Sequence, residues 1–170
     1  HHTEPGSWNC TIMARDSYNT DGQNSTLGTV DSYFGVGVPT ATIDFGAYAH
    51  SQNSGTTDYS VLANNTGNVR IDFTLDAYSS SGVPADANAM SCTSGSLPVS
   101  AIRYATTSGV TATAKTALAD APTSVNVNLD QTPLGSTAYT GSTLYFGIVI
   151  PSGGQSGSCT GFLDIGATTP

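Results

Sequence analysis

Asn64-Asn65-Thr66-Gly67-Asn68-Val69-Arg70-Ile71-Asp72-Phe73-Thr74-Leu75-Asp76-Ala77-Tyr78 is the stretch that decides the fold. A turn-forming cluster gives way to strict alternation. Val69, Ile71, Phe73, Leu75 and Ala77 point one way, and Arg70, Asp72, Thr74 and Asp76 point the other. Period two marks a strand with one dry and one wet face. Such a strand belongs to an antiparallel sheet packed on a second sheet. Similar runs recur at 8–14, 27–38, 41–50, 57–63, 97–105, 123–130, 142–150 and 159–166, separated by clusters such as Ser51-Gln52-Asn53-Ser54-Gly55 and Ser152-Gly153-Gly154-Gln155. Short strands with regular turn punctuation predict an all-β chain, an antiparallel β-sandwich of about 8–10 strands with an N-terminal strand arm. Segment 142–150 is apolar on both faces and reads as a central strand ended by Pro151. Segment 111–121 is the one candidate helix, or else a loop. The domain reading is an arm over 1–26 and a sandwich over 27–170.

Composition narrows the function. The basic residues are Arg15, Arg70, Arg103 and Lys115 alone, against twelve acidic ones, for a net charge of −8. Nucleic acid is excluded as a partner, because phosphate binding needs clustered Lys and Arg. Ser and Thr make up roughly a quarter of the chain, far above ordinary usage. Hydroxyls and amides must therefore cover the surface, as in secreted proteins. No apolar run is long enough to span a bilayer as a helix.

Cys10, Cys92 and Cys159 allow three pairings. Cys92 with Cys159 is favoured, since both fall in the compact region and Cys10 in the arm. Neither C-x-x-C nor a His beside any Cys occurs, which argues against zinc. Hydrolytic machinery is also missing. There is no G-x-S-x-G elbow and no phosphate loop, and the single glutamate, Glu4, is near the N-terminus. No turnover and no cofactor are expected. Two metal sites are the alternatives to that expectation. His1 with His50 and a tyrosine could form a copper site of the kind used by oxidative polysaccharide-cleaving enzymes. Asn19-Thr20-Asp21-Gly22-Gln23-Asn24, with Asp16 and Asp31, is similar to a calcium loop, although such residues are also what polar turns use.

Residues 41–46 (Ala/Thr-Ile-Asp-Phe-Gly within Ala41-Thr42-Ile43-Asp44-Phe45-Gly46), Asn64–Val69, Leu144-Tyr145-Phe146-Gly147-Ile148-Val149-Ile150-Pro151-Ser152-Gly153 and Ser156–Gly161 follow one another in an order that resembles Ig-like modules of secreted archaeal and bacterial surface proteins. Phe146 stands where those modules often have Trp, and Cys159 where they often have Tyr. The resemblance spans roughly 41–168 and implies an Ig-like or jelly-roll-like sandwich. Its motifs are turn and strand chemistry, so it speaks to architecture rather than activity. The chain is also loosely similar to fibre-forming subunits of the camelysin and bundling-pilus kind, which self-assemble by strand exchange.

The arm sharpens that expectation. Trp8, Cys10, Ile12 and Ala14 alternate along 8–14 and are the candidate anchors of a donor strand that completes a neighbour's sheet. The leading expectation is a structural subunit of an extracellular, cell-surface filament, a homopolymer. The alternatives are an adhesin or carbohydrate-binding module using Tyr18, Tyr33, Tyr48, Tyr59, Tyr78 or Tyr139, and the copper enzyme. Tyr48 is expected on the exposed face of a 41–50 strand. Sequons at Asn9, Asn24 and Asn64 are candidate glycosylation sites, Asn24 and Asn64 being the better placed in polar surroundings.

Overall fold

The computed structural model describes residues 4–15, 17–18, 21–39, 42–79 and 87–170. Its twelve strands are β1 (Gly6–Arg15), β2 (Asp21–Val30), β3 (Val36–Gly37), β4 (Tyr59–Asn65), β5 (Ile71–Tyr78), β6 (Asn88–Ser94), β7 (Ser96–Pro98), β8 (Ile102–Ala105), β9 (Thr116–Ala117), β10 (Thr123–Leu129), β11 (Thr140–Ile148) and β12 (Ser156–Thr168), with one 3₁₀ turn at Val99–Ala101. They form an antiparallel β-sandwich. One sheet runs β10-β5-β12-β6-β7 and the other β3-β4-β11-β8-β9. A separate two-stranded sheet, β1-β2, lies outside both.

The dry face read from the sequence is the core. Ile71, Phe73, Leu75 and Ala77 of β5 are buried and face Val61 and Ala63 of β4 and Leu144, Phe146 and Ile148 of β11. β11 lies in the middle of its sheet, paired on both sides. The wet face is not wet throughout. Asp72 and Asp76 are buried. Asp72 accepts the backbone N–H groups of Val127 and Asn128, at 2.8 and 2.7 Å. Those amides lie where the β10–β5 register slips between Val125 and Leu129, and Asn128 has φ of +46°. The carboxylate thus satisfies donors that the irregular ladder leaves without a partner.

Segment 41–50 is not a strand: its described residues, 42–50, pair with no sheet. Pro39 has no N–H to continue the ladder beyond β3, and Gly46 turns the chain at φ +78°. Segment 111–121 is not a helix. Tertiary partners take its backbone groups: Ala112 N–H donates to Gly55 O and Leu118 N–H to Ile102 O, while Arg103 Nη1 donates to the carbonyls of Thr113 and Lys115.

The bridge joins Cys92 to Cys159, which are cross-strand neighbours of β6 and β12. It closes 67 residues of chain. Constraining a loop of that length in the unfolded state stabilises by about 2–4 kcal/mol. Reduction, or Cys92→Ala with Cys159→Ala, should lower the free energy of unfolding by that amount in a two-state fit of urea unfolding.

Candidate assembly site

The arm is two strands, not one. β1 pairs with β2 in register from Gly6↔Val30 to Arg15↔Asp21. The read arm boundary at 26/27 therefore falls inside β2. Trp8, Cys10, Ile12 and Ala14 share one face with their partners Gly28, Thr26, Asn24 and Gly22. Asn9, Met13 and Leu27 lie on the other. Every residue of the ribbon is exposed except the half-buried Val30. Relative exposures are 41% for Trp8, 75% for Ile12, 67% for Met13 and 76% for Leu27. No described strand of the sandwich pairs with either edge of the ribbon. Arg15 and Asp21 close its far end with two hydrogen bonds, at 2.6 and 2.9 Å.

The root of the ribbon is fixed by the Asn-Thr-Gly-Asn turn between β4 and β5. Asn68 Oδ1 accepts the Tyr33 N–H at 2.6 Å, Asn68 Nδ2 donates to Asp31 O, and Asn68 N–H donates to Tyr33 O. Thr66 N–H donates to Gly35 O. A Cβ on Gly67 would stand 2.3 Å from Tyr33 O, so only glycine lets linker 31–35 lie this close. Asn65 is wholly buried. Its Nδ2 donates to Val69 O and Leu129 O, and its Oδ1 accepts the Gly67 N–H. The motif read as turn chemistry thus ties the linker, both sheets and the end of β10 together.

A cavity of about 330 Å³ opens between the sheets, lined by core residues Val61, Ala77, Ala89 and Ile102 together with Val38 and Ile43 at its rim. Beside it lies the connection that follows β3. Tyr59 OH donates to Phe45 O, Tyr48 OH and Tyr59 OH are 2.7 Å apart, and the Phe45 and Tyr59 rings meet edge to face. Burial, then the Tyr48 hydroxyl, pushes the Tyr59 phenol up to about 12, so it stays a donor. Tyr48 is accordingly half-buried against the core, not displayed on an outer face.

The remaining candidates are scattered. Tyr18, Tyr33 and Tyr139 are exposed. Tyr78 stacks on Phe162 across β5 and β12, with ring centroids 5.7 Å apart. Asn9 and Asn24 are exposed on opposite faces of the ribbon. Asn64 is half-buried between β3 and β11, where its Oδ1 would stand 2.4 Å from a Cβ on Gly141. His1, Asp16, Asn19 and Thr20 lie outside the described residues. His50 is exposed in a turn, and Asp21 is held by Arg15. Among the described residues no three His, Cys, Asp or Glu side chains converge as a metal site. No helix among them is long and apolar enough to cross a membrane.

Sequence reasoning missed the pairing of buried Lys115 with half-buried Asp58, 2.6 Å apart, because the partners are 57 residues apart and neither stands in a motif. Comparison with known proteins finds no matching family model, no matching curated protein and no matching solved structure. Geometry alone therefore defines the class: an antiparallel β-sandwich carrying an exposed two-stranded ribbon.

Cys10 is free and exposed on the Trp8 face of that ribbon. An accessible thiol reacts without unfolding. Titration of the unassembled chain with a disulfide reagent should yield one thiol per chain in native buffer, with no rise on adding denaturant.

Proposed function

We propose that the chain is a structural subunit of an extracellular filament and donates its N-terminal ribbon to the next copy. The observation that carries this reading is the exposure of Trp8, Ile12, Met13 and Leu27 on a ribbon that neither sheet covers. An isolated two-stranded hairpin is marginally stable in water. Covering each large apolar side chain contributes about 1.5–3 kcal/mol, so a partner stabilises both the ribbon and the contact. A ribbon donated to a different surface of the next copy makes a head-to-tail contact, which propagates instead of closing. The donor is the hairpin as a unit, with Trp8, Cys10, Ile12 and Ala14 as the anchoring face. The Cys92–Cys159 bridge fits an oxidising compartment outside the cell.

Deleting residues 1–30 tests the reading. The truncated sandwich should retain its strand signal in circular dichroism and remain monomeric, while the full chain forms fibres in negative-stain microscopy. Fibres from the truncated chain would refute ribbon donation.

A carbohydrate-binding module is the second reading, favoured by the Tyr78–Phe162 stack, since Phe162 is exposed. Its test is glycan-array binding by the monomer that is lost in Phe162→Ala. Cross-strand aromatic pairs stabilise sheets without any ligand, so the ribbon carries more weight.

A further inference from the structure

The donor reading leaves open where the next copy receives the ribbon, and we infer that the acceptor is the groove over Val61, Ala77, Ala89 and Ile102, extended by the edge of β4 that no described strand pairs. This inference rests on the filament reading and adds its receiving surface.

Three observations converge on that groove. The first is an open lane in a sheet. β3 pairs with β4 only at Asn64 and Asn65, and Pro39 then takes the chain off the ladder. From Tyr59 to Ala63, no described strand pairs with β4 on the side away from β11. Such an edge presents N–H and C=O groups that a further strand can pair. The second is the cavity beside that lane. Val61, Ala77, Ala89 and Ile102 are buried core residues at its floor, and the exposed Val38 and Phe162 line its mouth. A strand laid along Tyr59–Ala63 sends every second side chain toward them.

The third is position. The ribbon's root is held at the β4–β5 turn through Asn68. The groove lies toward the other ends of both strands, at Val61 near the start of β4 and Ala77 near the end of β5. Six residues of β5 separate Ile71 from Ala77, about 20 Å at strand rise. The deep end of the groove is thus set apart from the ribbon's root, while its Val38 side lies next to β3, so donor and acceptor are different surfaces of one subunit, as a non-closing contact requires.

The occupant is a second copy of this chain, its β1 edge along β4 and its Trp8 face toward the cavity. The two surfaces match in charge. No charged side chain lines the groove, and none lies on the ribbon face from Trp8 to Ala14 or on its partners Gly22 to Gly28. The ribbon's only charges, Arg15 and Asp21, neutralise one another at its far end. A partner chosen by charge would find nothing to bind there, whereas an uncharged apolar ribbon does. With each chain at −8, added salt should speed association by screening repulsion.

Two full-length variants test the assignment. Ile12→Asp puts a charge on the donor face, and Val38→Asp puts one at the rim of the groove. Both positions are exposed, so both variants should fold. Sedimentation velocity and negative-stain microscopy should show fibres from the unaltered chain and monomers from each variant alone, an association weaker by at least about tenfold. Mixed together, they should form a heterodimer that grows no further, because Ile12→Asp keeps its groove and Val38→Asp keeps its ribbon. If the unaltered chain and Val38→Asp polymerise equally, the acceptor lies elsewhere while the filament reading stands. If Ile12→Asp also polymerises, the ribbon is not the donor. A mixture that stays monomeric overturns the groove assignment, as does an unaltered chain that stops at a closed dimer. An unaltered chain that remains monomeric at every concentration overturns both the assignment and the filament reading.

Discussion

Replacing Asp58 with alanine is expected to destabilise the sandwich by about 1–3 kcal/mol, the cost of leaving the buried Lys115 ammonium without the part-exposed carboxylate it donates to. Lys115 is buried, and its Nζ donates to Asp58 Oδ1 at 2.6 Å and to Val110 O at 2.9 Å. Its stem passes Gly147 of β11, where a Cβ would stand 3.2 Å from the Lys115 Cε, so the missing side chain makes room for it. Without Asp58 the ammonium keeps one carbonyl and no counter-charge. Lys115→Met removes the charge and keeps the stem, and it leaves a carboxylate that is part-exposed and still accepts the Gly109 N–H. The pattern to look for in urea unfolding is a large loss in Asp58→Ala, little in Lys115→Met, and recovery when the two are combined. A large loss in all three would show that the pair is not the cause.

The same pair gives a pH dependence. The hydrogen bond from Lys115 holds the Asp58 carboxyl below the ordinary carboxylate range. Burial opposes this, and the Gly109 N–H and the Lys115 charge add to the lowering. A carboxyl depressed by folding stabilises fully above its unfolded value of about 4. That contribution disappears as the pH falls through the lower folded value. Acid unfolding should therefore lose part of its pH dependence below about pH 4 in the Asp58→Ala, Lys115→Met double variant.

Asn65→Ala is expected to cost about 3–5 kcal/mol, since it deprives Val69 O, Leu129 O and the Gly67 N–H of their partner in a buried turn, at about 1–3 kcal/mol each before relaxation. At about 2–4 °C per kcal/mol for a chain of this size, the melting temperature should fall by about 10 °C. Asn65→Asp is the sharper probe. It keeps the shape and the acceptor, but turns a carboxylate toward two carbonyls, and it should be at least as harmful as alanine. A mild effect of both variants would mean that water replaces the amide.

Much of this fold is legible from alternation. The apolar residues of β5 and β11 can face only a core, and they do. What alternation cannot supply is the identity of a polar residue's partner. Asp72 reads as a wet-face residue because its task, satisfying Val127 and Asn128, arises from a strand 55 residues away. Segment 41–50 has the period of a strand, but Pro39 and Gly46 break the ladder that would have made it one. β6 was not foreseen because Asn88-Ala89-Met90-Ser91-Cys92-Thr93-Ser94 is mostly polar, and pairing with β12 and β7 determines its state. β2 opens with residues read as a polar turn, Asp21 to Asn24, and is a strand because β1 lies beside it. That Trp8, Cys10, Ile12 and Ala14 share one face of the ribbon is visible from spacing alone. The groove is not, since its residues come from distant parts of the chain and are individually ordinary core positions.

Asn68 sits where β4 passes into β5, and those two strands belong to different layers of the sandwich. A pull along the ribbon would reach linker 31–35 first, where the Asn68 and Thr66 hydrogen bonds share it with the junction of the two layers. A single carboxamide thereby joins the base of the ribbon to the seam between the two layers.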